Sequence, residues 1–158
     1  MGVGFQRRGA EAQRGFLELG RRAFGDDKES EVMTENEISA VILDAAIAVH
    51  RGIGGPGVLE SYYEAALAYE LELRGLKVET QKLVPVIYKG KVIGEPYRLD
   101  MLVEGKVIVE CKAVEKNNPV FAAQVLTYLR LTNLRLGVVI NFGQAKIKDG
   151  WERVANNL

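Results

Sequence analysis

The stretch DMLVEGKVIVECK, residues 100–112, decides the fold of this chain. It predicts two β-strands joined by a short turn at 104–106. Successive side chains of a strand point to opposite faces, so Glu110 and Lys112 share one face and Cys111 lies on the other. Charged groups in a strand otherwise suited to burial are costly unless they are paired or bind a metal. The charges of the second strand are therefore predicted either to meet a partner or to line a site.

The length of the turn decides whether Asp100 joins that site. A two-residue turn would place Asp100 on the opposite face of the sheet from Glu110. With a three-residue loop, Val103 faces Val107 and Asp100 faces Glu110, with Cβ atoms about 5 Å apart. We predict the three-residue loop, and with it a cluster of two carboxylates and one lysine.

This cluster favours metal-dependent chemistry. Two carboxylates so close repel each other unless they are protonated or bridged by a cation. Their oxygens suit Mg²⁺ or Mn²⁺, which can lower the pKa of a bound water for attack on a phosphodiester. Lys112 would position or deprotonate that water, or stabilise the developing charge. From this spacing alone, a surface Lys–Glu pair with an unrelated aspartate nearby is the stronger alternative, because such strings are common.

From the second predicted helix onward, the elements are expected in the order α-β-β-β-α-β, which indicates an α/β (α+β) fold. Thr34 and Glu37 form a capping box at the start of the first helix, and the glycine-rich turn 51–57 ends it. A short tail containing Trp151 is expected to close the chain. The predicted helices cover about 35–50, 58–74 and 120–131, and the predicted strand regions cover 76–88, 91–103, 107–113 and 136–142.

Composition limits the function classes. Lys plus Arg and Asp plus Glu number 21 each, so any binding of nucleic acid would need a local groove or a partner. The single cysteine, Cys111, excludes an internal disulfide framework and a CxxC zinc site within one chain. No apolar run approaches the roughly 20 residues of a membrane helix, and the N-terminus lacks the apolar region of a secretory signal. We expect a cytoplasmic protein that does not enter the membrane.

Three motifs together resemble a known superfamily. Residues 100–112, in this order of elements, are similar to the PD-(D/E)XK nuclease superfamily. The sequence QVLTY, 124–128, resembles the QxxxY motif of its recombination-exonuclease branch. The sequence GVLESYY, 57–63, resembles the signature of the GxxExxY protein family, a small bacterial and archaeal family within it. The likeness covers roughly residues 34–156 and includes 83–90, 97–103 and 139–143.

The resemblance implies a restriction-endonuclease-like core, a central mixed sheet flanked by helices, and a Mg²⁺- or Mn²⁺-dependent nuclease. Asp100 and Glu110 would be the principal metal ligands and Lys112 the catalytic lysine. Glu60 would reach the metal directly or through water. The proline of the superfamily's motif is absent, since Leu99 precedes Asp100.

The resemblance also implies that Gln124 and Tyr128, on one helix face, line the site and contact the nucleic-acid backbone or order the catalytic groups. Taken alone, these two residues would more readily be a half-buried pair. Glu60, taken alone, would be an acid favoured by the helix dipole. DNA is the expected substrate, ahead of RNA. The alternative is a nuclease-fold binding or regulatory module with weak catalysis that needs a protein partner or a second copy.

The chain divides into two parts. Residues 1–33 contain many Gly, Arg and acidic residues without a sustained period, and we predict a flexible N-terminal extension. The alternatives are that Met33 is the true start, or that the segment is a functional arm. Residues 34–158 are predicted to form the nuclease-like domain.

Overall fold

The computed structural model describes residues 31–158. The extension predicted over 1–33 lies outside this range except for its last three residues, and it stays a prediction. Met33 packs against the core, and its carbonyl oxygen accepts a hydrogen bond from Lys106 Nζ at 2.7 Å. Across residues 31–158, no helix is both long and apolar enough to cross a bilayer.

The described residues form three α-helices: α1 (Glu35–Ile53), α2 (Glu60–Leu73) and α3 (Pro119–Thr132). The predicted capping box begins α1, because Thr34 Oγ1 accepts from the Glu37 amide and Glu37 Oε2 accepts from the Thr34 amide. Helix α1 runs three residues past its predicted end. It stops before Gly54, where a Cβ would lie 2.2 Å from the His50 carbonyl oxygen.

The main sheet has five described strands in the order β1-β4-β5-β6-β7. Strands β5 and β6 are parallel, and the other neighbouring pairs are antiparallel. Two further short strands, β2 and β3, pair as a separate hairpin. The strands are β1 (Val78–Val84), β2 (Ile87–Tyr88), β3 (Lys91–Val92), β4 (Tyr97–Val103), β5 (Val107–Lys112), β6 (Leu136–Asn141) and β7 (Trp151–Ala155).

The two predicted strand regions before the loop at 104–106 contain breaks, and one expectation about the end of the chain needs correction. The predicted regions 76–88 and 91–103 each contain two strands, with Pro85 and Pro96 in the breaks between them, as expected of residues that cannot donate to a ladder. The expectation of a short closing tail is wrong, because Trp151–Ala155 forms β7, antiparallel to β6. Strand β6 is buried along its whole length, so its second edge needs hydrogen-bond partners, and β7 supplies them.

The hydrophobic core lies in two layers, one on each side of the sheet. Val107, Val109 and Cys111 of β5 pack with residues of α1 and α2. Ile108 of the same strand packs with α3. The glycine at 137 allows α3 to approach closely, since a Cβ there would lie 2.4 Å from Val125 Cγ1. The predicted fold, a central mixed sheet flanked by helices, is confirmed.

Candidate active site

The register of β4 and β5 brings Asp100 beside the predicted site strand. The three-residue loop is confirmed, because Val103 pairs with Val107. Regular pairing of β4 with β5 covers only Met101–Val103, so the expected pairing of Asp100 directly opposite Glu110 is not part of the ladder. Asp100 Oδ2 instead accepts a hydrogen bond from the Cys111 amide at 2.8 Å, so a side chain takes the place of a ladder carbonyl. This bond holds the Asp100 carboxylate next to the half of β5 that carries Glu110.

A local distortion makes this arrangement possible. The ladder between β1 and β4 lacks the rung that would join Gln81 to Asp100. Gln81 has φ +52°, a left-handed conformation that is unfavourable for a residue with a Cβ. Leu99 and Leu102 both pack in the layer of α3, although strict alternation would put them on opposite faces. The strand therefore bends at Asp100, and its carboxylate leaves the regular pattern of β4.

Glu110 is the most confined acid of the site. The residue is 5% exposed, and its Oε1 lies 3.4 Å from Lys112 Nζ. Its Oε2 is buried without a hydrogen-bond partner among residues 31–158. Lys112 Nζ also lies 5.0 Å from the centre of the Phe121 ring, so the ammonium group is shared between two neighbours. A buried, ionised oxygen without a donor is strongly disfavoured, and a proton or a cation would relieve it.

The two carboxylates have raised pKa values. Burial raises the pKa of Asp100 from 3.8 to about 6, while the hydrogen bond from the Cys111 amide lowers it and the charge of Glu64 raises it. Burial also raises the pKa of Glu110 from 4.5 to about 7. The negative charge of Asp100 adds to this rise, and Lys112 opposes it. Near neutral pH the pair therefore resists carrying two negative charges.

The carboxylates of the site fit a divalent cation that takes few of its ligands from the protein. Within the described part of the chain, no group of three or more His, Cys, Asp or Glu side chains is placed to hold a metal ion. Glu60 begins α2, and its charge acts on both Asp100 and Glu110, but the three do not form such a group. Mg²⁺ commonly uses one or two carboxylates together with waters and substrate phosphates. Asp100 and the unpartnered oxygen of Glu110 match that requirement.

Helix α3 closes the site on the other side. Tyr128 is 2% exposed, and Gln124 is half-buried one turn before it. Burial raises the pKa of Tyr128 to about 12, the charge of Glu110 adds to this, and a hydrogen bond with Gln124 opposes it. The Tyr128 hydroxyl therefore stays protonated and can donate a hydrogen bond. The structure thus places Tyr128 within range of the charge of Glu110, with Gln124 next to Tyr128 on the same helix.

Two residues near the site were not singled out from the sequence. Glu64 follows Glu60 by one helical turn, and its charge raises the pKa of Asp100. Its carboxylate accepts a hydrogen bond from Gln81. Tyr97 packs on Tyr128 with ring centroids 5.4 Å apart. The i, i+4 spacing from Glu60 could have indicated Glu64, whereas Tyr97 carries no local signal because its neighbour comes from α3.

A separate cavity of about 680 Å³ lies past the end of β5, between the glycine-rich turn and the segment after β6. Of its described lining residues, Glu115 is the acid, and His50 is hydrogen-bonded through Nε2 to the Gln144 carbonyl at 3.1 Å. Neither carboxylate of the β4–β5 cluster lines it. This cavity is therefore separate from the carboxylates of Asp100 and Glu110.

Comparison with known proteins agrees with this geometry. The profile of the PD-(D/E)XK nuclease superfamily matches residues 36–154, most of the chain and all of the site. No curated protein and no solved structure gives a significant match. On the strength of the profile match, which spans both carboxylates, the lysine and the closing helix, the chain belongs to the PD-(D/E)XK nuclease superfamily.

Proposed function

We propose that this protein is a Mg²⁺- or Mn²⁺-dependent nuclease that hydrolyses DNA phosphodiester bonds at Asp100, Glu110 and Lys112. The observation that carries the proposal is the buried Oε2 of Glu110, which has no hydrogen-bond partner among residues 31–158. Burial also raises the pKa of the neighbouring Asp100, so the ionised form of that carboxyl is disfavoured as well. A protein that only needed a stable sheet would place apolar side chains here.

Each residue has a defined task in this proposal. Asp100 and Glu110 would hold the cation, with Glu60 contributing directly or through water. When bound, the cation would supply Lewis-acid polarisation of the scissile phosphate. Lys112, which Glu110 and Phe121 keep near the carboxylates, would orient the attacking water or stabilise negative charge that develops on the phosphate. The protonated hydroxyl of Tyr128 would donate a hydrogen bond to the substrate strand.

The charges needed to hold a phosphate backbone are local, since the net charge is zero. A second hollow of about 340 Å³ has a lining that is apolar at Ile47, Ala145 and Ile147 and carries Arg51, Lys146, Lys148 and His50 at its rim. It follows β6, at the same end of the parallel pair β5–β6 as Lys112. We propose that these side chains contact backbone phosphates, the ordinary sequence-independent source of affinity for DNA.

We also propose that the chain belongs to the GxxExxY branch of the superfamily, because each signature residue has a local role. Gly57 has φ +80°, which residues with a Cβ rarely adopt. Glu60 is the first residue of α2. Tyr63 stacks on Phe142 with ring centroids 4.5 Å apart, and its hydroxyl accepts a hydrogen bond from the Gly55 amide at 3.3 Å. The motif thus shapes the turn that presents Glu60.

The test is degradation of labelled single- and double-stranded DNA by the purified chain with Mg²⁺, Mn²⁺ or EDTA. Lys112→Ala is the site variant, and Lys116→Ala, at an exposed lysine four residues on, is the matched control. We expect cation-dependent cleavage that Lys112→Ala lowers about 100-fold or more and Lys116→Ala leaves intact. Cleavage that survives Lys112→Ala would contradict the proposal.

The second candidate function is a nuclease-fold module that binds nucleic acid or a protein partner without useful turnover. The lack of a three-ligand metal group among residues 31–158 favours it, as does the neutral net charge. It predicts a folded chain that binds DNA or a partner and cleaves neither DNA nor RNA with either cation.

A further inference from the structure

A third hollow lies between the start of β4 and helix α3 and differs from the other two in its lining. Its volume is about 380 Å³, within the range of small-ligand sites, which is about 300 to 1,000 Å³. None of its described lining residues is charged. They are Tyr97, Val120, Ala123, Gln124, Thr127 and Tyr128. A neutral, partly aromatic hollow does not suit a phosphate, but it does suit a flat apolar ring with polar edges.

The ring of Tyr97 supplies the surface for such a group. Tyr97 is 42% exposed at the start of β4. Its ring is tilted by 59° against that of Tyr128, so the two rings do not cover each other face to face. An exposed aromatic face next to a polar amide such as that of Gln124 is the arrangement on which nucleic-acid bases stack.

The hollow and the proposed reaction site share helix α3. Val120, Gln124 and Tyr128 of this helix line the hollow, and Phe121 of the same helix has its ring centre 5.0 Å from Lys112 Nζ. A nucleotide whose base stacks on Tyr97 would therefore lie on the same side of the sheet as Lys112. A base inside a duplex is already stacked and paired, and it would have to be extruded to reach the hollow.

We propose that this hollow, the Tyr97 hollow, holds an unpaired base of the substrate strand stacked on Tyr97. The proposal rests on the proposed nuclease function and adds to it the substrate class, single-stranded DNA or a frayed end. Tyr97 then acts as a specificity-determining residue that favours unpaired strands, while Glu110 and Lys112 act on the phosphate whatever its pairing.

The test measures fluorescence anisotropy of labelled strands with the full chain in EDTA, where the proposed cleavage cannot proceed. The probes are an oligothymidylate, an abasic strand of the same length and a blunt duplex. The variants are Tyr97→Leu, Tyr97→Phe and, as matched control, Tyr69→Leu, since Tyr69 is 63% exposed on α2. We expect Tyr97→Leu to weaken binding of oligothymidylate about tenfold, with abasic strand and duplex unchanged. Tyr97→Phe and Tyr69→Leu should behave as the unaltered protein.

Normal binding of oligothymidylate by Tyr97→Leu, or an equal loss on all three probes, would overturn the inference. A second measurement avoids substitution altogether: photo-crosslinking of a 5-bromodeoxyuridine strand should map to the peptide that contains Tyr97. Crosslinks confined to other peptides would also overturn it.

Failure of the inference and failure of the proposed function are distinguishable. A protein that cleaves DNA with Mg²⁺ or Mn²⁺ but is indifferent to Tyr97→Leu keeps the nuclease and loses the stacking site. A folded protein that binds none of the three probes and cleaves no DNA loses both.

Discussion

One face of β5 packs Val109 and Cys111 among the apolar side chains of α1 and α2, whereas the other turns Glu110 and Lys112 toward α3. Val109, Cys111 and Glu110 are all buried. Burial of Val109 stabilises the fold through the hydrophobic effect. Burial of Glu110, with one oxygen unpartnered, does the opposite, and its raised pKa records this. The second face of β5 therefore carries a buried charge that lowers stability, as expected of a face selected for the proposed reaction and not for packing.

The largest expected difference between the two faces of β5 is in activity, measured for Glu110→Gln and Cys111→Ala. Glu110→Gln keeps the shape but removes the charge, and we expect a loss of cation-dependent cleavage of about 100-fold or more. Cys111→Ala leaves a small cavity on the apolar face and should retain most of the activity. Initial rates with Mn²⁺ at pH 8 would measure both, and equal activities would contradict a functional division of the strand.

Stability should change in opposite directions on the two faces. Val109→Ala removes two buried methyl groups and should lower the free energy of unfolding by about 2 kcal/mol. Glu110→Gln removes a buried charge and should raise the free energy of unfolding at pH 8 by on the order of 1 to 3 kcal/mol. Urea unfolding in EDTA measures both changes. Destabilisation by Glu110→Gln would contradict the expected difference between the two faces.

The pH dependence of the free energy of unfolding should also arise from the acids on the charged face of β5 and beside it. The folded pKa values of Asp100 and Glu110 are raised to about 6 and about 7, so the folded protein retains protons that the unfolded chain has lost. Their contribution to stability is therefore present below about pH 4 and is lost as the pH rises to about 7.

Thermal unfolding in EDTA across this range should show the loss for the unaltered protein, whereas Glu110→Gln should show a smaller slope. Val109→Ala should lower the melting temperature at every pH without changing how it depends on pH. A slope unchanged by Glu110→Gln would assign the pH dependence to other groups.

The sequence predicts the division of β5 because alternation in a strand is a local property. Loop length, the capping box and the facing of Glu110 and Lys112 follow from the same local rules. Three features do not. They are the distortion at Gln81 and Asp100, the pairing of β7 with the buried β6, and the contact of Tyr97 with Tyr128. Each of them depends on a residue or strand that is distant in sequence, so a short stretch of the chain cannot predict it.

The smallest expected effect concerns Glu64, whose charge raises the pKa of Asp100. Glu64→Gln should lower that pKa, so the acid limb of the pH–activity profile should move to lower pH by less than about one unit. Glu95→Gln, at an exposed acid between β3 and β4, is the matched control. An acid limb that moves to higher pH would mean that Glu64 assists Asp100 in holding the cation.

The central claim is that the charged face of β5 is a cation site, and Mn²⁺ binding tests it most directly. Electron paramagnetic resonance of free Mn²⁺ during titration measures binding without any substrate. We expect the unaltered protein to take up Mn²⁺ and Asp100→Asn and Glu110→Gln each to lose this binding. Glu115→Gln, at an exposed acid beyond the end of β5, should retain it. Equal binding by Glu110→Gln and the unaltered protein would contradict the claim.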